Sequence, residues 1–362
     1  MKTKIVALFL ISTFILTSGF GCKLPSSQTK KAMEPITLEY WRVFDDSDAF
    51  EEIIADYNAR HSFITINYKK LLFEEYEEEL INALAEDRGP DIFSIQNTWI
   101  PDYQNKISAM PPQTTLVFPV TKGTLKKEVV PELRSVKSLT LKDLKEKFVD
   151  VVYDDVVLEE DGNKSIYGLP LSIDTLAMYY NKDLLNNAGI VEAPEYWNKA
   201  FQQAVKKLTK QNSLGSIIQS GVALGGAENI ERSADILSLL MMQNGAVMAD
   251  EKNRITFHSM PKNLNHHPGL GALEFYTDFS NPGKEVYCWT SNMINSLDMF
   301  IQGKLAIMFG YAYHMPIIKA RAPKLNFEVA KMPQIENNPI INYPNYWVEV
   351  VSTKSKYQNE AW

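Results

Sequence analysis

Apolar positions in the first third of this 362-residue chain alternate between two periods. Ile36 to Trp41 reads as a strand. Phe50, Ile53, Ile54 and Tyr57 then recur at the i, i+3, i+4, i+7 spacing of one helical face, with Asp48 as its N-cap and Glu51 three residues on. Ile64, Ile66 and Tyr68 alternate as a second strand. Phe73, Tyr76, Leu80 and Leu84 return to helical spacing, and Gly89-Pro90 closes that helix. Ile92, Phe93 and Ile95 make a third, buried strand. Strands alternating with helices call for crossover connections and a mainly parallel sheet, so the fold class is α/β.

From Ile100 to Lys164 the pattern loosens. Pro111, Pro112, Pro119 and Pro131 interrupt it, and one helix stands out around Leu141 to Val152. Further on, Trp197, Phe201, Val205 and Leu208 mark a helix in which Trp197 reads as core. A second runs from about Asn229 to Asn244, with Gly245 as its stop. Ile294 to Gln302 is a third, followed by the strand Leu305 to Phe309. Val329 to Pro333 and Trp347 to Val351 read as two more short strands. No internal repeat or low-complexity block is present.

The stretch Tyr167 to Leu185, YGLPLSIDTLAMYYNKDLL, carries the most information. A turn at Gly168 and Pro170 leads into an apolar run through Leu176, Met178 and Tyr180, and Asn181-Lys182-Asp183 opens a helix. Asp174 stands inside that run, where an unpaired carboxylate is costly. It needs a partner, either a bound ligand or a hinge hydrogen bond.

The N-terminus reads as a targeting segment. Lys2 and Lys4 precede an apolar stretch from Ile5 to Leu16, too short for a membrane-spanning helix, which takes about 20 residues. Small residues and then Cys22 follow, which predicts a bacterial lipoprotein with a signal peptide over 1–21, lipid on Cys22 and a tether over 22–35; a plain signal peptide with an incidental cysteine is the competing reading. Cys288 is the only other cysteine, so stability must come from core burial. Removal of Lys2 and Lys4, with no acid beside them, takes the formal charge from −7 to −9. An acidic chain without long basic runs argues against nucleic acid. The ending SKYQNEAW has the form of a helix's opening turn, and the expectation is that further C-terminal helices follow Trp362.

Six segments in order resemble the maltose-binding-protein-like family of extracellular solute-binding proteins of ABC sugar importers (family 1). They are LEYWRVFDDSDAFEEII, GPDIFSIQNTW, the stretch from Tyr167, APEYWNKAFQQAVKKLT, GVALGGAENIERSADILSLLMMQNG and NSLDMFIQGKLAIMFGYAYH. The resemblance implies a two-lobed, periplasmic-binding-protein-like (type II) fold with a ligand cleft between the lobes. Lobe I would take 36–172 and 336–362, lobe II 174–332, with crossovers near Leu169 to Asp174 and Met332 to Ile335. It further implies a monomeric, lipid-anchored, extracytoplasmic receptor, with no catalytic residue or cofactor, that passes a sugar or oligosaccharide to an ABC permease.

Open α/β sheets bind ligands beyond the carboxyl ends of their strands. Candidate ligand-binding residues there are Trp41, Asn97, Trp99 and Tyr311, joined by Asp174 and Trp289. Aromatic rings suit the C–H faces of sugars, while amides and carboxylates suit their hydroxyls. For each tryptophan, core packing is the competing reading. Tyr179-Tyr180 resembles the paired tyrosines of iron-binding receptors, but strand neighbours point to opposite faces. His266-His267 lacks a third ligand at metal spacing, and Gly225-Gly226 reads as a helix entry that could face an anion. A carbohydrate hydrolase is the rival from another class, yet no second carboxylate accompanies Asp174. A sensory ligand-binding subunit is a further alternative.

Overall fold

Strand Ile36–Arg42 pairs in parallel with both Ile64–Lys70 and Ile92–Gln96, as the alternating pattern requires. The computed structural model describes residues 27–124, 127–250, 254–262 and 264–362. The expected signal peptide and Cys22 lie outside the described residues. Among those described, no helix is long and apolar enough to cross a membrane.

The chain divides into two compact units, one made of the described residues up to Pro170 with Val348–Trp362, the other of Leu171–Trp347. The return to the first unit therefore falls at Trp347–Val348, later than the expected Met332 to Ile335. Hydrogen bonds account for the difference. Gln243 Nε2 donates to the carbonyls of Pro333 and Ile341, and the Gln334 backbone exchanges hydrogen bonds with Glu195 and Trp197. These bonds keep residues 333–341 on the second unit.

The first unit holds a five-stranded sheet in the order Ile64–Lys70, Ile36–Arg42, Ile92–Gln96, Trp347–Val351, Leu169–Pro170. Leu38, Ile64, Tyr76, Leu80, Phe93, Ile95, Val348 and Val350 form its core. Gly168 is required where the chain enters the edge strand Leu169–Pro170, because a Cβ there would lie 2.5 Å from Val348 Cγ1. Helix Asp48–Arg60 begins one residue past Ser47, which makes no side-chain cap, so Asp48 sits inside the first turn instead of capping it.

The loosely patterned region contains a ribbon, Gln113–Lys122 paired antiparallel with Glu128–Lys137. Its prolines obscured it. Pro119 and Pro131 face each other across the pair, and in a two-stranded ribbon every strand is an edge, so a missing N–H is tolerated. The expected helix over Leu141 to Val152 is two helices, Leu141–Lys147 and Asp150–Val156, parted by extended backbone at Phe148 and Val149. Trp362 is half-buried and donates through Nε1 to Ser108 Oγ at 3.2 Å.

The second unit has a sheet in the order Lys210–Gln211, Ile217–Val222, Leu305–Gly310, Ala177–Asn181, Phe327–Ala330. Every residue of Leu305–Gly310 is buried, which explains its unbroken apolar sequence. Helix Ser233–Gln243 starts four residues later than its pattern suggests, because Arg232 takes a left-handed conformation at φ 59° and turns the chain into it.

Candidate functional site

At the carboxyl edge of the first unit's parallel strands, Ile36–Arg42 runs into Val43-Phe44-Asp45-Asp46 and Ile64–Lys70 into Leu71-Leu72-Phe73. Phe44 and Phe73 are 59% and 52% exposed, and their rings stack at 5.7 Å with 23° between planes. Leu72 beside them is 61% exposed. Large apolar groups in the open, at the edge where α/β sheets take ligands, are the strongest surface signal in this unit. Sequence reading passed over them because Phe73 fits the helical period and Phe44 falls in a loop.

The Phe44 loop is braced from behind. Arg42 Nη2 meets Asp45 Oδ2 at 2.7 Å, Tyr68 donates to the Asp45 carbonyl at 2.6 Å, and Lys70 Nζ reaches Asp46 Oδ1 at 2.8 Å. Arg42 Nη1 also contacts Glu349 Oε1 at 2.8 Å, and Glu349 accepts hydrogen bonds from Tyr40 and Ser94. Burial pushes the Glu349 carboxyl above its ordinary value against the opposing pull of Arg42, and burial with the nearby Glu349 charge pushes Tyr40 far up.

On the same edge, Asn97 and Trp99 form the short turn after Ile92–Gln96. Asn97 is buried. Its Nδ2 donates to Asp155 at 2.9 Å, while its Oδ1 has no hydrogen-bond partner. Trp99 is half-buried and stacks on Tyr103 at 6.1 Å and 14°. Trp41 is buried, with Lys69 Nζ 4.4 Å from its ring centroid. The strand ends at this edge thus carry Phe44, Phe73, Asn97 and Trp99, while Trp41 is buried.

In the second unit, Leu305–Gly310 ends in the aromatic turn Tyr311-Ala312-Tyr313-His314. Asp174 Oδ2 accepts from the Ala312 N–H at 2.9 Å and Oδ1 from the Thr175 N–H at 2.8 Å. It belongs to the two-residue strand Asp174–Thr175 paired with Pro344–Asn345, apart from the apolar strand Ala177–Asn181. The partner that its sequence position demands is therefore the backbone of the aromatic turn.

Tyr311 is 1% exposed. Its hydroxyl donates to Asp235 Oδ2 at 2.8 Å, and Arg232 lies 5.1 Å from its ring centroid while pairing with Asp235 at 2.6 Å. The exposed ring is Tyr313, 49% accessible and stacked 4.0 Å from His314. His314 is buried, and its Nδ1 accepts from the Tyr311 N–H at 3.0 Å. Burial holds His314 below the ordinary histidine range.

Trp289 is a core residue. It has no exposed area, and its Nε1 donates to Asn229 Oδ1 at 2.9 Å. Gly226 makes room for it, since a Cβ there would lie 3.0 Å from the indole and 2.9 Å from Asn229 Oδ1. The Gly225-Gly226 pair is thus explained by packing. Tyr179 is buried and Tyr180 bonds Glu328, as opposite strand faces require. No group of metal-ligating side chains occurs among the described residues.

Two α/β units whose strand-end loops carry aromatic and polar groups define a solute-binding class of protein. The chain belongs to the bacterial extracellular solute-binding protein family, whose model matches residues 44–362. A binding protein of Brucella abortus is 25% identical over 316 residues, 86% of this chain and 66% of the relative, so this chain spans just under two-thirds of that protein's length. The galactooligosaccharide-binding protein of Bacillus subtilis is 20% identical, covering 99% of this chain and 75% of the relative. An ABC substrate-binding protein of Listeria monocytogenes, solved in complex with cycloalternan, superimposes with a TM-score of 0.61 at 17% identity, over 91% of this chain and 74% of that one. The fold is the periplasmic-binding-protein-like type II fold. The family consists of binding proteins, and its members work outside the cytoplasm.

Proposed function

We propose that the protein is a monomeric, lipid-anchored receptor that captures a sugar or oligosaccharide and delivers it to an ABC permease. The observation that carries this reading is the exposed stacked pair Phe44 and Phe73 at the carboxyl edge of a sheet in a solute-binding family member. Aromatic faces bury the C–H surfaces of sugar rings, and the names of the Bacillus and Listeria relatives point to the same chemical class.

Tyr313 offers a similar face in the second unit, with Arg232 nearby as a hydroxyl partner, while Asp174 holds the turn that carries it. Asn97 Oδ1, buried without a partner, is the acceptor on the first unit that a sugar hydroxyl would satisfy. Trp99 contributes its exposed part. Cys22 carries the lipid that holds the receptor at the membrane. No step requires catalysis, because cargo must leave unchanged, and an affinity on the order of micromolar, about −8 kcal/mol, suits capture followed by release.

The test is a thermal-shift screen over mono- and oligosaccharides, followed by calorimetric titration of the hits and chromatography of the recovered sugar. Binding without cleavage supports the receptor. Cleavage, or no binding by any sugar, contradicts it.

A further inference from the structure

The N-terminal helix and the ribbon carry a local excess of positive charge in this acidic chain. The helix Ser27–Lys31 lies against strand Glu128–Lys137 of the ribbon, with Thr29 buried and Lys30 and Lys31 exposed. The ribbon's base is fixed: His61 Nδ1 sits 2.9 Å from the Val117 carbonyl, and the His61 ring packs 4.9 Å from Phe118. Beyond the opposed Pro119 and Pro131, every described position from Thr121 to Val129 is exposed. Helix and ribbon together present Lys30, Lys31, Lys122, Lys127, Arg134 and Lys137 against only Glu128 and Glu132, in a chain of formal charge −7. Val129, 64% exposed, lies on the same ribbon face as Lys137 and adds an apolar contact there.

The position of this surface along the chain says what it faces. Ser27 follows Cys22 by five residues, which span at most about 18 Å when fully extended. A lipid on Cys22 therefore keeps the helix, and the ribbon packed on it, close to the bilayer. Anionic headgroups attract basic side chains near the surface, and the attraction fades over a screening length of about 8–10 Å. A basic surface with an exposed valine, tethered this close, has the charge and the apolar contact that an anionic interface takes up.

We propose that the ribbon and the helix Ser27–Lys31 are a docking surface for anionic phospholipid headgroups, which orients the first unit on the membrane. The proposal rests on the anchoring at Cys22, so its test separates the two. Thr121→Cys provides a labelling site for an environment-sensitive dye. Cys288 will not compete, because it is fully buried and burial pushes its thiol up to about 12. The acylated, labelled protein is reconstituted on vesicles of phosphatidylcholine alone, or mixed about 3:1 with phosphatidylglycerol, each carrying a headgroup quencher.

The expected result is flotation with both vesicles, but dye emission falling by about half only with phosphatidylglycerol. Emission should recover in about 1 M salt, where screening shortens to about 3 Å. It should also recover in a Lys127→Glu, Lys137→Glu double variant, which keeps the ribbon's length and its Lys122–Glu132 ion pair. Flotation with equal emission on both vesicles overturns the docking surface and leaves the anchor standing. Protein that does not float overturns the anchor and the docking surface together.

Discussion

Arg42 and Glu349 come from the first strand and the last, and they meet at 2.8 Å with side chains only 11% and 14% exposed. Arg42 reaches forward to Asp45 in the Phe44 loop, while Glu349 lies one residue past Val348, where the chain re-enters the first unit. One buried ion pair thus ties the proposed aromatic platform to the strand on which the chain returns.

Removing one partner of such a pair leaves a buried charge uncompensated, which costs about 3–5 kcal/mol. Glu349→Ala should lower the unfolding free energy by roughly that amount, and Arg42→Met, Glu349→Leu together should recover most of it. Urea denaturation of the three variants checks this. A single variant as stable as the parent would mean the pair contributes nothing net.

The aromatic platform makes a contrasting prediction. Phe44→Ala and Phe73→Ala remove exposed rings, so stability should change by less than about 0.5 kcal/mol while sugar affinity falls about tenfold. Trp289→Ala should do the opposite, costing about 3–5 kcal/mol of stability through the cavity it leaves. Titrations paired with melting curves distinguish surface from core.

Asp174→Asn tests which partner the carboxylate serves. Two backbone N–H groups occupy its oxygens, so the variant should lower the melting temperature and weaken sugar binding by less than tenfold, below the loss expected for a charge-assisted contact to ligand. An unchanged melting temperature with a larger loss of affinity would place the carboxylate on the sugar.

His314 predicts a pH dependence. Its folded form holds the proton less tightly than the unfolded chain, whose histidine titrates near 6.5. Stability is therefore full above that value and declines as pH falls below it, because the unfolded state takes up a proton that the folded state resists. His314→Gln should flatten this part of the profile, measured as urea midpoints across the acid range. A profile identical to the parent's would show that His314 does not couple to folding.

The crossover units of the first sheet were legible because periodicity survives where an element buries one face only, as in helix Phe73–Ala85 with Tyr76, Leu80 and Leu84 inward, and because the buried strand Ile92–Gln96 is mostly apolar. The ribbon was not, since its strands are exposed and hold prolines that only an edge tolerates. At the candidate site the strand ends themselves were legible, but not which side chains face outward there. Trp289 and Tyr311 have the chemistry of a sugar platform and are buried, while Phe44 and Phe73 look like ordinary loop and helix residues and stand in the open. Tertiary packing decides that choice, and no local pattern encodes it.

As a proposed sugar receptor, this family member takes its ligand on an aromatic platform that includes Phe44 and Phe73. The most direct measurement is calorimetric titration of the parent and the Phe44→Ala, Phe73→Ala double variant with the best sugar from the screen. The parent should show one site of about micromolar affinity, weakened at least tenfold in the variant at an unchanged melting temperature, with the sugar recovered intact. Equal affinity in both proteins, or a sugar recovered cleaved, would contradict the proposal.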